Sequence, residues 1–149
     1  MADSAALKLW VVLARAYISI QDRAAADILR YGMTLAEFGV LEALLHKGPL
    51  LLGDLQRKIL ISSGGITYVV DRLQEKGLVE RRPHPEDRRA CFAALTKGGE
   101  KLTKKIFTEH ETCLEQVLSG LDTAQQQQAT ELLKTLGRAA AELEVEVAS

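Results

Sequence analysis

LISSGGITYVVDRLQEKGLVERRPHPEDRRACFAAL, residues 60–95, decides the fold. Ser62 is a good N-cap ahead of Ser63-Gly64-Gly65. Ile66, Val69, Val70 and Leu73 then recur at the three- and four-residue spacing of a helix with one buried stripe. Gly77 ends that helix, because glycine takes the left-handed conformation of a C′ position, and Lys76 suits the negative end of the helix dipole. The opposite face carries Gly64, Thr67, Tyr68, Asp71, Arg72 and Glu75. A helix that enters a DNA major groove by its N-terminal end needs small residues for approach, here Ser62, Ser63 and Gly64. It also needs side chains such as Thr67, Tyr68 and Arg72 for base edges and phosphates. A solvated face of an ordinary helix has a similar composition, so this face alone leaves both readings open.

The residues that follow shift the balance. Leu78-Val79-Glu80-Arg81-Arg82 and Arg89-Ala90-Cys91-Phe92-Ala93-Ala94-Leu95 are short extended runs on either side of Pro83-His84-Pro85-Glu86-Asp87. Two prolines so close forbid a helix between the runs, which makes a hairpin with a rigid tip. Arg81, Arg82, Arg88 and Arg89 flank that tip, and arginine suits phosphates and the narrow, electronegative minor groove. Four arginines within nine positions are not needed to fold a hairpin.

Read as one motif, ISSGGITYVVDRLQEKGLVERRPHPEDRRACFAALTKGGEKL resembles the winged helix-turn-helix of the multiple-antibiotic-resistance regulator (MarR) family of bacterial transcription factors. The residues that carry the resemblance are Asp71-Arg72-Leu73, Lys76-Gly77-Leu78-Val79, Asp87-Arg88-Arg89 in the wing, Leu95-Thr96, and Gly98-Gly99 opening the next helix. With the flanking helices it extends over nearly the whole chain. It implies a mainly α (α+β) winged helix-turn-helix with long N- and C-terminal dimerisation helices. A homodimer that binds a pseudo-palindromic operator in double-stranded DNA as a repressor is also implied, as is a small aromatic effector held between the DNA-reading lobe and the dimer helices. Trp10, Tyr17 and Phe38 are the expected pocket residues, and Asp71 is expected to pair with Arg88 or Arg89 and hold the wing against the helix.

Composition agrees with a single helical domain. The chain has 149 residues, 47% hydrophobic and only 5% aromatic, enough for a core but not for a second catalytic domain. Its net charge of −1, taken alone, argues against nucleic acid, but the charge is unevenly placed. Residues 50–105 hold twelve Lys or Arg against seven Asp or Glu, whereas residues 106–149 hold two against eight. Only a docking surface must be positive. No apolar run is long enough to span a bilayer and no signal pattern opens the chain, so no membrane partner and a cytoplasmic location are expected. Cys91 and Cys113 make no disulfide framework and read as free thiols.

The remainder of the chain supplies helices. Residues 4–30 read as one helix with Leu7, Trp10, Leu13, Tyr17, Ala24 and Ile28 on a stripe that Val11, Ile18 and Ala25 widen. Thr34-Leu35-Ala36-Glu37 is a capping box for a helix whose inner face is Phe38, Leu41, Leu44 and Leu45, ended by Lys47-Gly48-Pro49. Residues 50–58 read as a short helix that starts poorly, with Leu51 where a polar cap is expected. Thr96 caps a helix to about residue 120, and Leu121-Asp122-Thr123 begins a last one with Leu132, Leu133 and Leu136 on its stripe. The division expected is one domain over residues 1–149. Residues 34–95 form the DNA-binding lobe, and residues 4–31 and 97–146 dimerise.

Other chemistry is weaker. His110 and Cys113 stand one helical turn apart and can face one metal, but two ligands are not a site, and neither metal nor cofactor is expected. Cys91 lies on the strand face of Ala93 and Leu95, where a buried apolar side chain is the ordinary reading. His46, His84 and His110 have no nucleophile pattern, phosphate loop or carboxylate pair with them, so no enzyme is expected. The alternatives retained are a winged-helix module that binds protein, and a redox- or metal-responsive regulator using Cys91, His110 or Cys113.

Overall fold

Residues 4–59 and 65–143 are described by the computed structural model. Helix α1, Ala5–Leu29, leads to α2, Leu35–Lys47. The Thr34 hydroxyl accepts from the Glu37 backbone N–H at 3.1 Å, and the Glu37 carboxylate accepts from the Thr34 N–H at 3.4 Å, so the expected capping box forms. Phe38, Leu41 and Leu44 are buried as anticipated, together with Val40.

Strand β1, Leu50–Leu51, precedes helix α3, Leu52–Lys58. Here the sequence reading needs correction, since residues 50 and 51 are not helical. They pair antiparallel with Phe92 and Ala93, giving a third strand instead of a two-stranded ribbon. Leu51 both ends the strand and stands as the N-cap of α3, without a side-chain cap bond.

Helix α4, Ile66–Glu75, buries Ile66, Val69, Val70 and Leu73. Its N-cap is Gly65, at φ +146; Ser62, the expected cap, lies outside the described residues. A side chain at that φ would be strained, so glycine at position 65 suits the turn into the helix. At the other end Gly77 takes φ +74, its N–H bonds to the Gln74 carbonyl at 3.0 Å and the Leu78 N–H bonds to Leu73 at 3.0 Å. This is a Schellman closure. Lys76 does more than suit the dipole: its ammonium pairs with the buried Glu37 carboxylate at 2.7 Å and tethers α4 to α2.

Strands β2, Val79–Pro83, and β3, Cys91–Leu95, form the wing hairpin, and the sheet order is β1-β3-β2. Helix α5, Lys97–Val117, begins at Thr96, whose hydroxyl accepts from the Gly99 N–H at 3.0 Å. Its first half belongs to the lobe, for Ile106 is wholly buried in the same core as Leu41, Leu55, Leu73 and Val79. Helix α6, Thr123–Glu142, is capped by Asp122 and Gln125 and buries none of its residues. Only the C-terminal end of α1 is buried, at Ala24, Asp27 and Ile28. Leu7, Trp10, Val11, Tyr17 and Ile18 on α1 and Leu132, Leu133 and Leu136 on α6 are exposed.

Candidate nucleic-acid interface

The face of α4 opposite its buried stripe stands clear of the protein. Thr67, Asp71 and Arg72 are exposed, and Tyr68 presents an aromatic ring that is 66% exposed. The same sequence pattern produces both faces: with four apolar residues committed to the core at helical spacing, Thr67, Tyr68, Asp71 and Arg72 have nowhere to turn but outward. Ser62, Ser63 and Gly64 lie outside the described residues.

The wing is fixed to this helix by a side-chain strut. Arg81 on β2 pairs with Asp71 on α4 at 2.6 Å and also donates to the Gln74 side chain. Its side chain is only 28% exposed. Asp71 was expected to meet Arg88 or Arg89 at the tip; it meets Arg81 on the strand instead, and Arg81 holds the wing rather than standing free on it. Arg82 bonds Glu80 on its own strand at 2.8 Å. Arg88 and Arg89 are exposed at the tip and make no ion pair among the described residues. Of the four arginines, these two keep free guanidinium groups, at the tip of a wing that Arg81 ties to α4.

The tip itself is ordered by hydrogen bonds that sequence reasoning missed. His84 Nδ1 accepts from the backbone N–H groups of Glu86 at 3.1 Å and Asp87 at 3.0 Å. The imidazole stacks on Phe92 of β3, with ring centroids 5.5 Å apart and planes 9° from parallel. The Asp87 carboxylate accepts from the Arg89 N–H at 2.9 Å, and the Ala90 N–H bonds to the Asp87 carbonyl at 3.2 Å. The signal available in the sequence was His84 between two prolines, a position where a ring nitrogen can reach N–H groups two and three residues on.

A cavity of about 800 Å³ opens between α1, α2 and α5. Tyr17 and Phe38 line it with Phe107, His110, Leu114 and Glu115. Trp10 does not join them: it is two helical turns before Tyr17 and is 69% exposed.

Behind the cavity, Asp27 of α1 meets His110 of α5, with Oδ2 and Nδ1 2.7 Å apart, and the same carboxylate accepts from Arg30 at 2.7 Å. Burial pushes the Asp27 carboxyl up, but hydrogen bonds from His110 and Arg30 outweigh it and hold the group below the usual carboxylate value. The Tyr31 hydroxyl donates to Glu109, which with burial raises the phenol. Burial and the negative charge of Asp27 push the Cys113 thiol up, so its reactive thiolate form is disfavoured. His110 spends its Nδ1 on Asp27, and among the described residues no cluster of three or more His, Cys, Asp or Glu can hold a metal. Cys91 is half-buried rather than buried. No helix among the described residues is long and apolar enough to cross a membrane.

Comparison with known proteins agrees with this geometry. The profile of the MarR family matches residues 31–90, the span from the end of α1 through the wing tip. The chain is 44% identical over 131 residues to the HTH-type transcriptional regulator MhqR of Bacillus subtilis (strain 168), covering 88% of this chain and 90% of that one. Sco3205, a MarR family transcriptional regulator from Streptomyces coelicolor solved in complex with DNA, superposes with a TM-score of 0.80. It is 23% identical, covering 89% of this chain and 86% of that one. BpsR of Bordetella bronchiseptica, whose DNA binding is regulated by 6-hydroxynicotinic acid, superposes with a TM-score of 0.78 at 26% identity, covering 87% and 98% of the two chains. With its sheet, strut and capped helices in the order described, this chain belongs to the MarR family and is a winged helix-turn-helix regulator of transcription, not an enzyme.

Proposed function

We propose that the chain acts as a homodimeric repressor on a pseudo-palindromic operator, with residues 34–95 reading DNA and the helices within residues 4–31 and 97–146 joining two copies. The observation that carries this reading is the outward face of α4 beside a wing whose tip holds two unpaired arginines. In it, Thr67 and Tyr68 meet base edges in the major groove, Arg72 meets phosphate, and Arg88 and Arg89 meet the adjacent minor groove or its phosphates. Arg81 is assigned to holding the wing, in view of its bond to Asp71. The DNA complex of Sco3205 supports the DNA partner. The effector is assigned to the cavity of Tyr17 and Phe38, where coupling follows if a ligand prefers one spacing of the lobe and the terminal helices. BpsR and 6-hydroxynicotinic acid support a small-molecule effector as a class.

The test is binding to a duplex recovered by in-vitro selection, and to a scrambled one, over a salt series. Arg89→Ala should weaken both and flatten the salt dependence by roughly one phosphate equivalent per subunit. Tyr68→Ala should lower affinity mainly for the selected duplex, on the order of 1–3 kcal/mol for a good base contact. An Arg89→Ala protein with full affinity and an unchanged salt slope would take the wing out of the interface.

A further inference from the structure

We propose that His84, in its neutral form with the proton on Nε2, is the positioning residue of the wing tip and sets the aim of Arg88 and Arg89. The inference rests on the reading of the wing as a DNA-contacting element, and its own warrant is the geometry of the tip. Between Pro83 and Ala90 the chain leaves the ladder, and every backbone N–H there needs a partner or water. Two of them, from Glu86 and Asp87, converge on one atom, His84 Nδ1, at 3.1 and 3.0 Å. Only a bare ring nitrogen can accept them, which places the proton on Nε2. The ring cannot swing away without losing its stack on Phe92, a residue pinned on both edges by pairing with Leu51 of β1 and Arg82 of β2. From Asp87 the constraint passes to the arginines, because the Asp87 carboxylate accepts from the Arg89 N–H at 2.9 Å. The three-stranded sheet thereby fixes a backbone turn that carries two long cationic side chains, so less of their order must be supplied on binding.

This construction makes the tip sensitive to the charge of the ring. A proton on Nδ1 turns the acceptor into a donor and removes both bonds together. Glu86 and Asp87 neighbour the ring through their backbone N–H groups, and the strand register sets Arg82 opposite Phe92 and Cys91 opposite Pro83.

The experiment has two arms. In the free wild-type protein, nitrogen-15 spectra of the imidazole should show Nδ1 bare and Nε2 protonated at neutral pH. In the second arm a duplex selected in vitro by the wild-type chain is titrated with His84→Ala and His84→Asn. Alanine should weaken binding by about tenfold, the scale of two lost backbone hydrogen bonds. Asparagine, whose side-chain oxygen accepts from an N–H two residues on, should stay within about threefold of wild type. A ring with its proton on Nδ1, or an alanine variant with wild-type affinity and salt slope, overturns the role of His84 while leaving the DNA reading intact. A wild-type chain that selects no duplex overturns both.

Discussion

Asp27 is the residue where burial and charge compete most directly. Almost out of solvent, it stays ionised because His110 and Arg30 donate to it. Its folded pKa lies below its unfolded one, so the stabilisation is present above about pH 4 and is lost as pH falls through the folded value. Asp27→Asn should therefore cost about 1.5–3 kcal/mol at pH 7, the range for hydrogen bonds to charged groups, and progressively less below pH ~4. Urea unfolding of both proteins at pH 7 and at about pH 3 checks this. A penalty independent of pH would mean that shape, not charge, holds the site. Glu37 is likewise a buried acid, paired with Lys76 at 2.7 Å.

The elements are joined most tightly where α5 starts. Thr96 donates its backbone N–H to the Leu78 carbonyl at 3.1 Å and its hydroxyl to the Gly77 carbonyl at 2.7 Å, seating the helix on the turn between α4 and β2. Gly99 lies so close that a Cβ there would overlap the carbonyl of Leu78, whereas at Gly98 the nearest atom would be 3.9 Å away. Gly99→Ala should accordingly destabilise by about 1–3 kcal/mol, as overpacking does. Gly98→Ala should be neutral or stabilise by up to about 1 kcal/mol through helix propensity. Thermal melts of the two variants decide it, and equal melting temperatures would show that the turn yields freely. Because that turn also carries Gly77 and leads into β2, displacement of α5 would be felt by the wing.

For the whole molecule, the unpartnered helix faces matter most. Helix α6 buries nothing, and Leu7, Trp10, Val11 and Ile18 of α1 form an exposed stripe at helical spacing. Apolar surface of this extent marks an interaction site, and a second copy of the chain is the proposed occupant. Replacing Leu132 and Leu136 together by Lys should leave the lobe folded, because neither side chain touches the core. Sedimentation should then show a monomer at concentrations where the wild type is dimeric. A double variant that remained a dimer would move the interface away from α6.

How much of this could be read beforehand depended on the range of the interaction involved. Caps and stripes are local, so Thr34 with Glu37, Ile66 with Val69, Val70 and Leu73, and Gly77 were legible from spacing alone. The outward face of α4 followed from its inward one, and the hairpin from two prolines. What spacing could not reveal was pairing between distant segments. Leu50 and Leu51 became a strand only because Phe92 and Ala93 offered an edge. Arg81 left the set of free arginines only because Asp71 came within 2.6 Å, and Trp10 fell outside the cavity because only the C-terminal end of α1 is buried. In each case the deciding free energy arises between groups far apart in the chain, and only the folded arrangement brings them together.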